Sequence, residues 1–340
     1  MEKKKNTMWF IIDVACISLL LGAIGYQENK EIQQNKMEQS SIPVPTKQAE
    51  NITPAVTPNI EENENTEQEN IVQNENKDKI GTEDITQIEQ ENTDSKIPIL
   101  VNEDYLSYDN TKYTWWIYRK PNHELSKGGE IFDISSYEAY YLNPSVEKGD
   151  KVLYLTFDCA YETGFTPEIL DILQKENVRA IFFVTKSFLK DYSAYVKRMK
   201  EEGHLVGIRT KHDEDIFVLT PEEVQKELAM MSETMLQLTG YEMDTYFRTY
   251  LGEYSERLLK VVNDLGYQTF FWSIVYRDFD VDNQPGTVFV KEHFQTYHHN
   301  GAIALMHNIS ESSANALEDV IALLREEGYR FGSLNEFERR

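Results

Sequence analysis

The residue that points most directly to chemistry is Asp158, which follows an apolar run from Val152 to Phe157 and precedes a turn. An acidic side chain at the carboxyl end of a buried parallel strand lies where α/β proteins gather their catalytic and binding groups. Asp158 is therefore a candidate for proton transfer or binding, although a purely structural aspartate is an equally good interpretation of this segment alone. Polar residues also end or follow other apolar runs, at Arg209, Arg248, Asp278 and His307.

Alternating strand and helix signals from Lys151 onward supply the elements that would position these side chains. Short apolar runs predict strands at Val152–Phe157, Ala180–Val184, Leu205–Ile208, Tyr246–Arg248, Thr269–Ser273 and Ala302–His307. Capped amphipathic runs predict helices at Pro167–Lys175, with Thr166 as N-cap, and at Ser187–Glu202, Thr220–Leu238, Ser255–Leu265, Val288–Tyr297 and Ser313–Glu327. The alternation predicts an α/β fold, either a parallel barrel or a doubly wound sheet. Polar residues after nearly every strand, and the lack of a glycine-rich phosphate loop in the sequence, favour the barrel.

Several separated blocks carry a family resemblance across residues 114–337. They are Thr156-Phe157-Asp158 with Tyr161-Glu162-Thr163-Gly164, Glu202-Gly203-His204 with Gly207, Phe247-Arg248 with Gly252, Gly266-Tyr267-Gln268-Thr269, Phe271-Trp272-Ser273, Asp278, His307 and Glu327-Gly328-Tyr329. In these blocks the chain resembles the polysaccharide deacetylases of the NodB-homology type, carbohydrate esterase family 4. It is most similar to the delta-lactam-biosynthetic de-N-acetylases that act on spore-cortex peptidoglycan. The resemblance implies an α/β fold that is a deformed (β/α) barrel with an open groove for a glycan chain.

The resemblance also implies roles for the polar residues. In this family a divalent metal, usually zinc, is held by an aspartate and two histidines and polarises the carbonyl of an N-acetyl group, so that the amide bond is hydrolysed. Asp158 matches the base that acts on the attacking water, and His307 matches the acid that protonates the leaving amine. Arg248 matches the arginine that orients the base, and Asp278 matches the acidic partner of the late histidine. Without that match, His307 would be interpreted as an ordinary buried histidine.

The metal ligands are where the sequence departs from the family. Cys159 stands where the family has a second aspartate, and Arg209 and Asp213 stand where it has two histidines. His212 is a substitute ligand by type but lies one residue from the ligand position. We therefore expect no cofactor. Zinc or another divalent metal would bind only if Cys159, His212 and Asp213 formed a rebuilt site.

We interpret Arg209 as a fixed organic cation in place of the metal, paired with Asp158 or Asp213. Such a guanidinium could bind a carbonyl or carboxylate of a glycan, with Tyr250 and Trp272 as further substrate-binding candidates. It could not activate a water molecule as a metal does. The alternative is a decayed barrel mouth in which Arg209 is merely solvated. Other aromatic residues are candidates for stacking on sugars or, by default, for the core: Trp115, Trp116 and Tyr276.

Three functional hypotheses follow. The first is a weak enzyme or pseudoenzyme that binds or acts on the N-acetylated glycan of cell-wall peptidoglycan. The second is an active peptidoglycan de-N-acetylase, a hydrolase of carbon–nitrogen amide bonds, with an atypical or rebuilt metal site. The third is an exported scaffold or partner-binding module, with a cell-wall enzyme as the partner.

The first hundred residues predict export. After a basic cytoplasmic tip at residues 1–7, the apolar residues 8–26 are long enough, at about 1.5 Å per helical residue, to span a bilayer. They predict an uncleaved membrane anchor with the folded domain outside the cytoplasm, and a cleaved signal sequence with secretion is the alternative. Residues 27–104, rich in Asn, Glu and Gln, predict a disordered linker. An aromatic-rich extension at residues 105–150 and a deacetylase-like domain at residues 151–340 follow.

Charge restricts the classes of binding partner, and cysteine content restricts how the domain can be stabilised. The 340-residue chain has 58 acidic and 34 basic residues, a net charge of −24. This excess argues against nucleic acid as a partner, because phosphates need a basic surface. The two cysteines are Cys16, in the predicted anchor, and Cys159. No disulfide framework is expected, so the domain must be stabilised by its hydrophobic core.

Overall fold

The computed structural model describes Leu100 and residues 104–146, 150–211 and 215–339. The predicted anchor at residues 8–26 lies outside the described residues, as do the linker apart from its positions 100 and 104 and the two candidate ligands His212 and Asp213. Among the helices of the described part, none is long and apolar enough to cross a bilayer.

The described residues form short strands and α-helices that alternate along most of the chain. The strands are β1 (Tyr113–Thr114), β2 (Ile117–Tyr118), β3 (Lys127–Gly128), β4 (Ala139–Tyr140), β5 (Val152–Cys159), β6 (Ile181–Val184), β7 (Leu205–Arg209), β8 (Tyr246–Arg248), β9 (Glu253–Tyr254), β10 (Gln268–Phe270), β11 (Ala302–His307) and β12 (Arg330–Phe331). The helices are α1 (Thr166–Lys175), α2 (Lys186–Asp191), α3 (Ser193–Glu201), α4 (Pro221–Thr239), α5 (Glu256–Asp264), α6 (Thr287–Tyr297) and α7 (Glu311–Glu326).

The main sheet is parallel, with the strand order β11–β5–β6–β7–β8–β10–β4 and β12 beside the start of β5. Two isolated bridges, Ile274 with Ala304 and Leu142 with Ala302, connect the chain after β10 and β4 back to β11. The predicted α/β fold with parallel strands is thereby confirmed. The curved sheet is a half-barrel of parallel strands, because single bridges and no continuous ladder connect its two ends.

Side chains alternate between the two faces of β5, and this alternation decides which residues reach the site. Leu155, Phe157 and Cys159 pack on the outer face, in the core that the helices cover. Tyr154 packs on the inner face with aromatic side chains from β6, β10 and the C-terminal segment: Phe183, Phe270 and Phe337. Each fully buried apolar side chain contributes about 1.5–3 kcal/mol, so a register slip that exchanged the faces would be strongly unfavourable. The inner row ends in Thr156 and Asp158, which therefore point into the mouth of the curved sheet.

Three predicted details of the elements were wrong. The predicted helix Ser187–Glu202 is two helices, because Tyr192 between them has φ −127° and ψ 34°, outside the helical region. No proline or glycine marks this break in the sequence. Thr166 is not the N-cap of α1; its backbone N–H and hydroxyl both donate to the carboxylate of Glu162.

The third wrong detail is the strand predicted at Thr269–Ser273, which ends at Phe270. The carbonyl groups of Phe270 and Phe271 accept hydrogen bonds from the Arg248 side chain, at 2.8 and 3.2 Å. The backbone N–H of Ser273 donates instead to the Ile303 carbonyl of β11. A buried side chain thus ends the regular pairing, and this long-range effect leaves no mark on the local pattern.

The aromatic-rich extension forms part of the folded unit. β1 pairs with β9 in antiparallel fashion, and β4 pairs with β10 in the main sheet. Trp115 is buried, stacks on Phe271 with ring centres 4.7 Å apart, and donates from its indole N–H to the Trp272 carbonyl at 3.0 Å. The extension therefore packs directly against the strand ends that form the mouth.

Acid should destabilise the fold through His204, which is buried and accepts the backbone N–H of Ala180 at Nδ1, at 3.1 Å. Burial, reinforced by Arg179 and Arg198, lowers the pKa of His204 from 6.5 to about 4. Between these pH values the unfolded chain binds a proton that the folded chain does not, so the free energy of unfolding falls as the pH falls through this window. The His204→Asn variant, whose amide oxygen can still accept from Ala180, should show a flatter dependence of unfolding free energy on pH. Urea unfolding between pH 4 and 8 measures the slope, and an unchanged slope in the variant would contradict the assignment.

Candidate functional site

The polar residues predicted at the strand ends converge on one mouth of the curved sheet. His307 lies opposite Asp158 in the register of β11 and β5, and Arg209 lies opposite Arg248 in the register of β7 and β8. Asp278 joins them from the loop after β10 and contacts His307. The five polar residues identified at the strand ends therefore lie at one mouth of the sheet.

The Asp158 carboxylate lies between two guanidinium groups. Its Oδ2 accepts from Arg209 Nε at 2.7 Å, and its Oδ1 accepts from Arg248 Nη1 at 3.0 Å. Burial on its own would raise the pKa of this carboxyl group, but the two arginines outweigh burial and hold the pKa of Asp158 below its ordinary value. Asp158 is therefore ionised and charge-paired on both oxygens. Of the two pairings expected for Arg209, the structure contains the one with Asp158.

Arg248 is a structural cation beneath the mouth. Its side chain is completely buried and also donates to Thr156 Oγ1 at 2.8 Å and to the carbonyls that end β10. The guanidinium carbon lies 4.0 Å from the ring centre of Phe183, within the range of a cation–π interaction. These contacts fix the position of the guanidinium, which in turn orients Asp158.

On the other side of the mouth, Asp278 orients His307. Oδ1 of this fully buried carboxylate accepts from His307 Nδ1 at 2.7 Å, and Oδ2 accepts from the His307 backbone N–H at 3.0 Å. Ser313 also donates its hydroxyl to Oδ2 at 2.7 Å. Because Nδ1 is engaged by Asp278, the imidazole turns Nε2 away from this carboxylate, the arrangement that an acid or base at the mouth requires.

The two aromatic substrate-binding candidates occupy different environments. Tyr250 is partly exposed, and its ring centre lies 5.4 Å from the guanidinium carbon of Arg209. Trp272 is only 9% exposed and packs against Gly252, where an added Cβ would lie 2.8 Å from its ring. Substrate contact by either residue stays a prediction. Of the remaining aromatic candidates, Trp115 and Tyr276 are buried in the core, whereas Trp116 is exposed.

The donor groups in the described residues do not fit the divalent metal that the family resemblance implies. Both oxygens of Asp158 are engaged by arginines, and Arg209 places a permanent positive charge beside them. Cys159 is buried on the outer face of β5, and burial raises the pKa of its thiol well above the ordinary value, which disfavours the thiolate that a metal ligand requires. Among the described residues, no three His, Cys, Asp or Glu side chains are grouped so as to hold a metal ion.

Sequence reasoning missed the residues that support the site from behind. Thr156 binds Arg248, Ser313 binds Asp278, and Tyr276 contacts the Ser313 hydroxyl at 2.9 Å. Asn308, next to His307, donates to the Tyr161 carbonyl and to Thr166, and so ties the loop after β5 to the end of β11. The alternation along β5 could have identified Thr156, whereas the other contacts join segments far apart in the chain.

Comparison with known proteins gives consistent matches. Residues 145–270 match the polysaccharide deacetylase family. The chain is 38% identical over 229 residues to peptidoglycan-N-acetylmuramic acid deacetylase PdaA of Bacillus subtilis, covering 67% of this chain and 86% of that protein. The solved structure of PdaA, a family 4 carbohydrate esterase, matches with a TM-score of 0.63 over 67% of this chain and 97% of that one.

Two further solved structures are similar. A family 4 carbohydrate esterase from Bacillus anthracis is 33% identical, with a TM-score of 0.55 over 68% of this chain and 98% of that one. A mutant, with restored enzymatic activity, of a Bacillus anthracis family 4 pseudoenzyme is 25% identical, with a TM-score of 0.51 over 58% of this chain and 70% of that one.

Removing the Arg248 charge should destabilise the protein far more than removing an exposed arginine. Arg248→Gln leaves Asp158 buried with one fewer counter-charge, and breaking a buried ion pair in this way costs roughly 3–5 kcal/mol. Arg277→Gln is the matched control, because Arg277 is exposed and pairs with Asp280 at the surface, where such pairs contribute about 0–1 kcal/mol. Chemical unfolding of both variants measures the difference, and equal stabilities would contradict the structural role given to Arg248.

Proposed function

The chain belongs to the polysaccharide deacetylase family, and we propose that it binds N-acetylated cell-wall glycan at its mouth while its metal-dependent amide hydrolysis is impaired. The proposal rests mainly on one observation, the contact of Arg209 Nε with Asp158 Oδ2 at 2.7 Å. Arg209 stands at a position where the family resemblance implies a histidine ligand. An arginine in contact with the expected base makes the mouth a charge-paired binding site.

The chemistry of a guanidinium separates binding from catalysis. It stays protonated at physiological pH and presents up to five N–H donors, so it can bind a carbonyl or carboxylate oxygen. It has no vacant coordination position and cannot lower the pKa of a water molecule towards neutrality, as a bound divalent metal can. Arg209 thus supports recognition of an N-acetyl carbonyl but does not replace the hydrolytic role of a metal.

Binding is supported by the groups that remain around the mouth. Tyr250 lies beside the Arg209 guanidinium and is partly exposed, which suits packing against a sugar. His307 is held by Asp278 at 2.7 Å and is oriented for a hydrogen bond to a ligand. The similarity to PdaA, named for its action on peptidoglycan, makes N-acetylated peptidoglycan glycan the ligand class we propose.

An active peptidoglycan de-N-acetylase is the second candidate, and specific observations favour it. The Asp278–His307 pair and Asp158 have the types and arrangement of an acid and a base, and the chain is 38% identical to a named deacetylase. This candidate requires a metal site completed by residues outside the described part, with His212 as the first to test. The Bacillus anthracis protein is relevant to both candidates. It is a pseudoenzyme of similar fold, and a mutant of it has restored enzymatic activity.

Purified full-length protein should contain far less than one equivalent of zinc and release little acetate from peptidoglycan fragments. Arg209→His combined with Asp213→His should restore metal binding, because it removes the cation and supplies imidazole groups at the two positions where the family resemblance implies histidine ligands. Changes around a metal site typically alter affinity or activity by about 10–100-fold, so a gain of at least that size is expected. Elemental analysis and an acetate assay, each with and without a chelator, measure these outcomes.

The matched control is Arg209→Gln combined with Asp213→Gln, which removes the same charges without supplying imidazole. It should not bind zinc, and it tests whether loss of the cation alone is sufficient. Release of acetate by the wild-type protein, abolished by a chelator, would refute catalytic impairment and support the active enzyme. His212→Ala would then test the residue that the rebuilt site requires.

We further propose that residues 8–26 anchor the protein in the cell membrane, with the deacetylase domain outside the cytoplasm. The support is the apolar stretch behind a lysine-rich tip, and such a tip favours the cytoplasmic side. Detergent extraction of membranes should therefore recover a chain that still contains Glu2, as measured by mass spectrometry of N-terminal peptides. A soluble extracellular form whose first residue is Tyr26 would instead indicate a cleaved signal sequence.

A further inference from the structure

An exposed aromatic pair, Trp116 and Tyr118, lies on the extension. Trp116 is 42% exposed and Tyr118 is 55% exposed, and their rings meet edge to face with centres 4.1 Å apart. The indole ring of Trp116 rests on Gly129, where any side chain would overlap it. The Trp116 carbonyl also accepts the Gly129 backbone N–H at 3.0 Å. The indole is therefore supported from one side while a large part of its surface stays in solvent.

Backbone pairing connects this aromatic pair to the mouth. Thr114 lies opposite Glu253 in the pairing of β1 with β9, and the Trp115 N–H donates to the Gly252 carbonyl at 2.8 Å. Trp116 directly follows Trp115 in the chain, and Gly252 lies two residues after Tyr250, whose ring lies beside Arg209. Hydrogen-bonded backbone thus connects the segment that carries the aromatic pair to the segment that carries Tyr250.

We propose that Trp116 and Tyr118 form a second carbohydrate-binding site, which packs against a sugar ring of the glycan that occupies the mouth. The inference rests on the proposed function, because the second site would contact the same glycan beyond the mouth. Sugar rings present an apolar face of C–H groups that packs on an aromatic ring while their hydroxyl groups stay hydrated. A supported indole suits this role, since its fixed position limits the conformational entropy lost on binding.

The composition around the pair favours a glycan over a membrane or a large protein interface. Charged residues flank it in the sequence, with Arg119 and Lys120 following β2, Lys127 beginning β3 and Glu130 following β3. Two aromatic rings bordered by charges are a small target beside the several hundred square ångströms of a typical functional apolar patch. The size matches one or two sugar rings.

The test compares short and long oligomers of N-acetylglucosamine as probes, with the full-length protein and isothermal titration calorimetry. The wild-type protein should bind a hexasaccharide more tightly than a disaccharide. Trp116→Ala should weaken hexasaccharide binding roughly two- to thirteenfold, the range that an aromatic contact of about 0.5–1.5 kcal/mol implies, and should leave disaccharide binding unchanged. Trp116→Phe should retain most of the gain with length. Leu236→Ala, an exposed apolar residue near the end of α4, is the matched control and should have no effect.

The outcomes separate this inference from the proposed function. If Tyr250→Ala weakens both oligomers while Trp116→Ala affects both equally or neither, the mouth binds glycan and the second site is refuted. If the wild-type protein binds neither oligomer, the proposed function and the second site both fail. Circular dichroism of each variant checks folding, and the Trp116→Phe variant gives a second measurement if Trp116→Ala is unstable.

Discussion

The structure of the mouth depends on one constraint, the neutralisation of a buried carboxylate. Asp158 is 4% exposed, and an isolated charge at that depth would be strongly unfavourable. Arg248 approaches it from below and Arg209 from the rim, one on each oxygen. With both contacts in place, the carboxylate is ionised and held in a single orientation. The contacts also connect the ends of β5, β7 and β8, which carry Asp158, Arg209 and Arg248.

The same interaction organises the sheet around it. Arg248 donates to the carbonyls of Phe270 and Phe271, and this ends the regular pairing of β10. The chain then turns so that Ile274 bridges to Ala304, which joins the two ends of the curved sheet. Trp272 lies within this segment, and its carbonyl accepts the indole N–H of Trp115. One buried arginine therefore connects the charge pairing at the site with closure of the sheet and attachment of the extension.

Much of this fold could be predicted from sequence because its elements are short, strongly patterned and well capped. The strand from Ala302 to His307 has the predicted limits, and the helix predicted from Thr220 begins with a capping box between Thr220 and Glu223. The end of β10, which contacts from Arg248 set over 22 residues of chain, could not be predicted from local patterns. The contact of Glu162 with the start of α1 and the break at Tyr192 are local features that the helix patterns did not indicate.

At the site, sequence reasoning brought Asp158 and His307 together but left two pairings open for Arg209. Only the three-dimensional arrangement shows its guanidinium on Asp158. The placement of Cys159 was within reach of sequence reasoning, because adjacent residues of a strand face opposite sides. A cysteine directly after an inward-pointing aspartate must point outward, where burial raises the pKa of its thiol. The support of Asp278 by Ser313 spans 35 residues and had no sequence signal.

Charge also explains why an arginine and a divalent cation exclude each other at this mouth. Two unit charges 4 Å apart interact by about 4 kcal/mol at an effective dielectric constant of 20, so a divalent ion beside a guanidinium would be opposed by about twice that amount. Arg209 already compensates Asp158, and an added metal would bring two positive charges to a carboxylate whose oxygens are both engaged. Arg209 stands where the family resemblance implies a metal-ligating histidine, and its guanidinium supplies positive charge directly to the buried carboxylate. Together with Arg248 it keeps Asp158 charge-paired within the protein's own side chains.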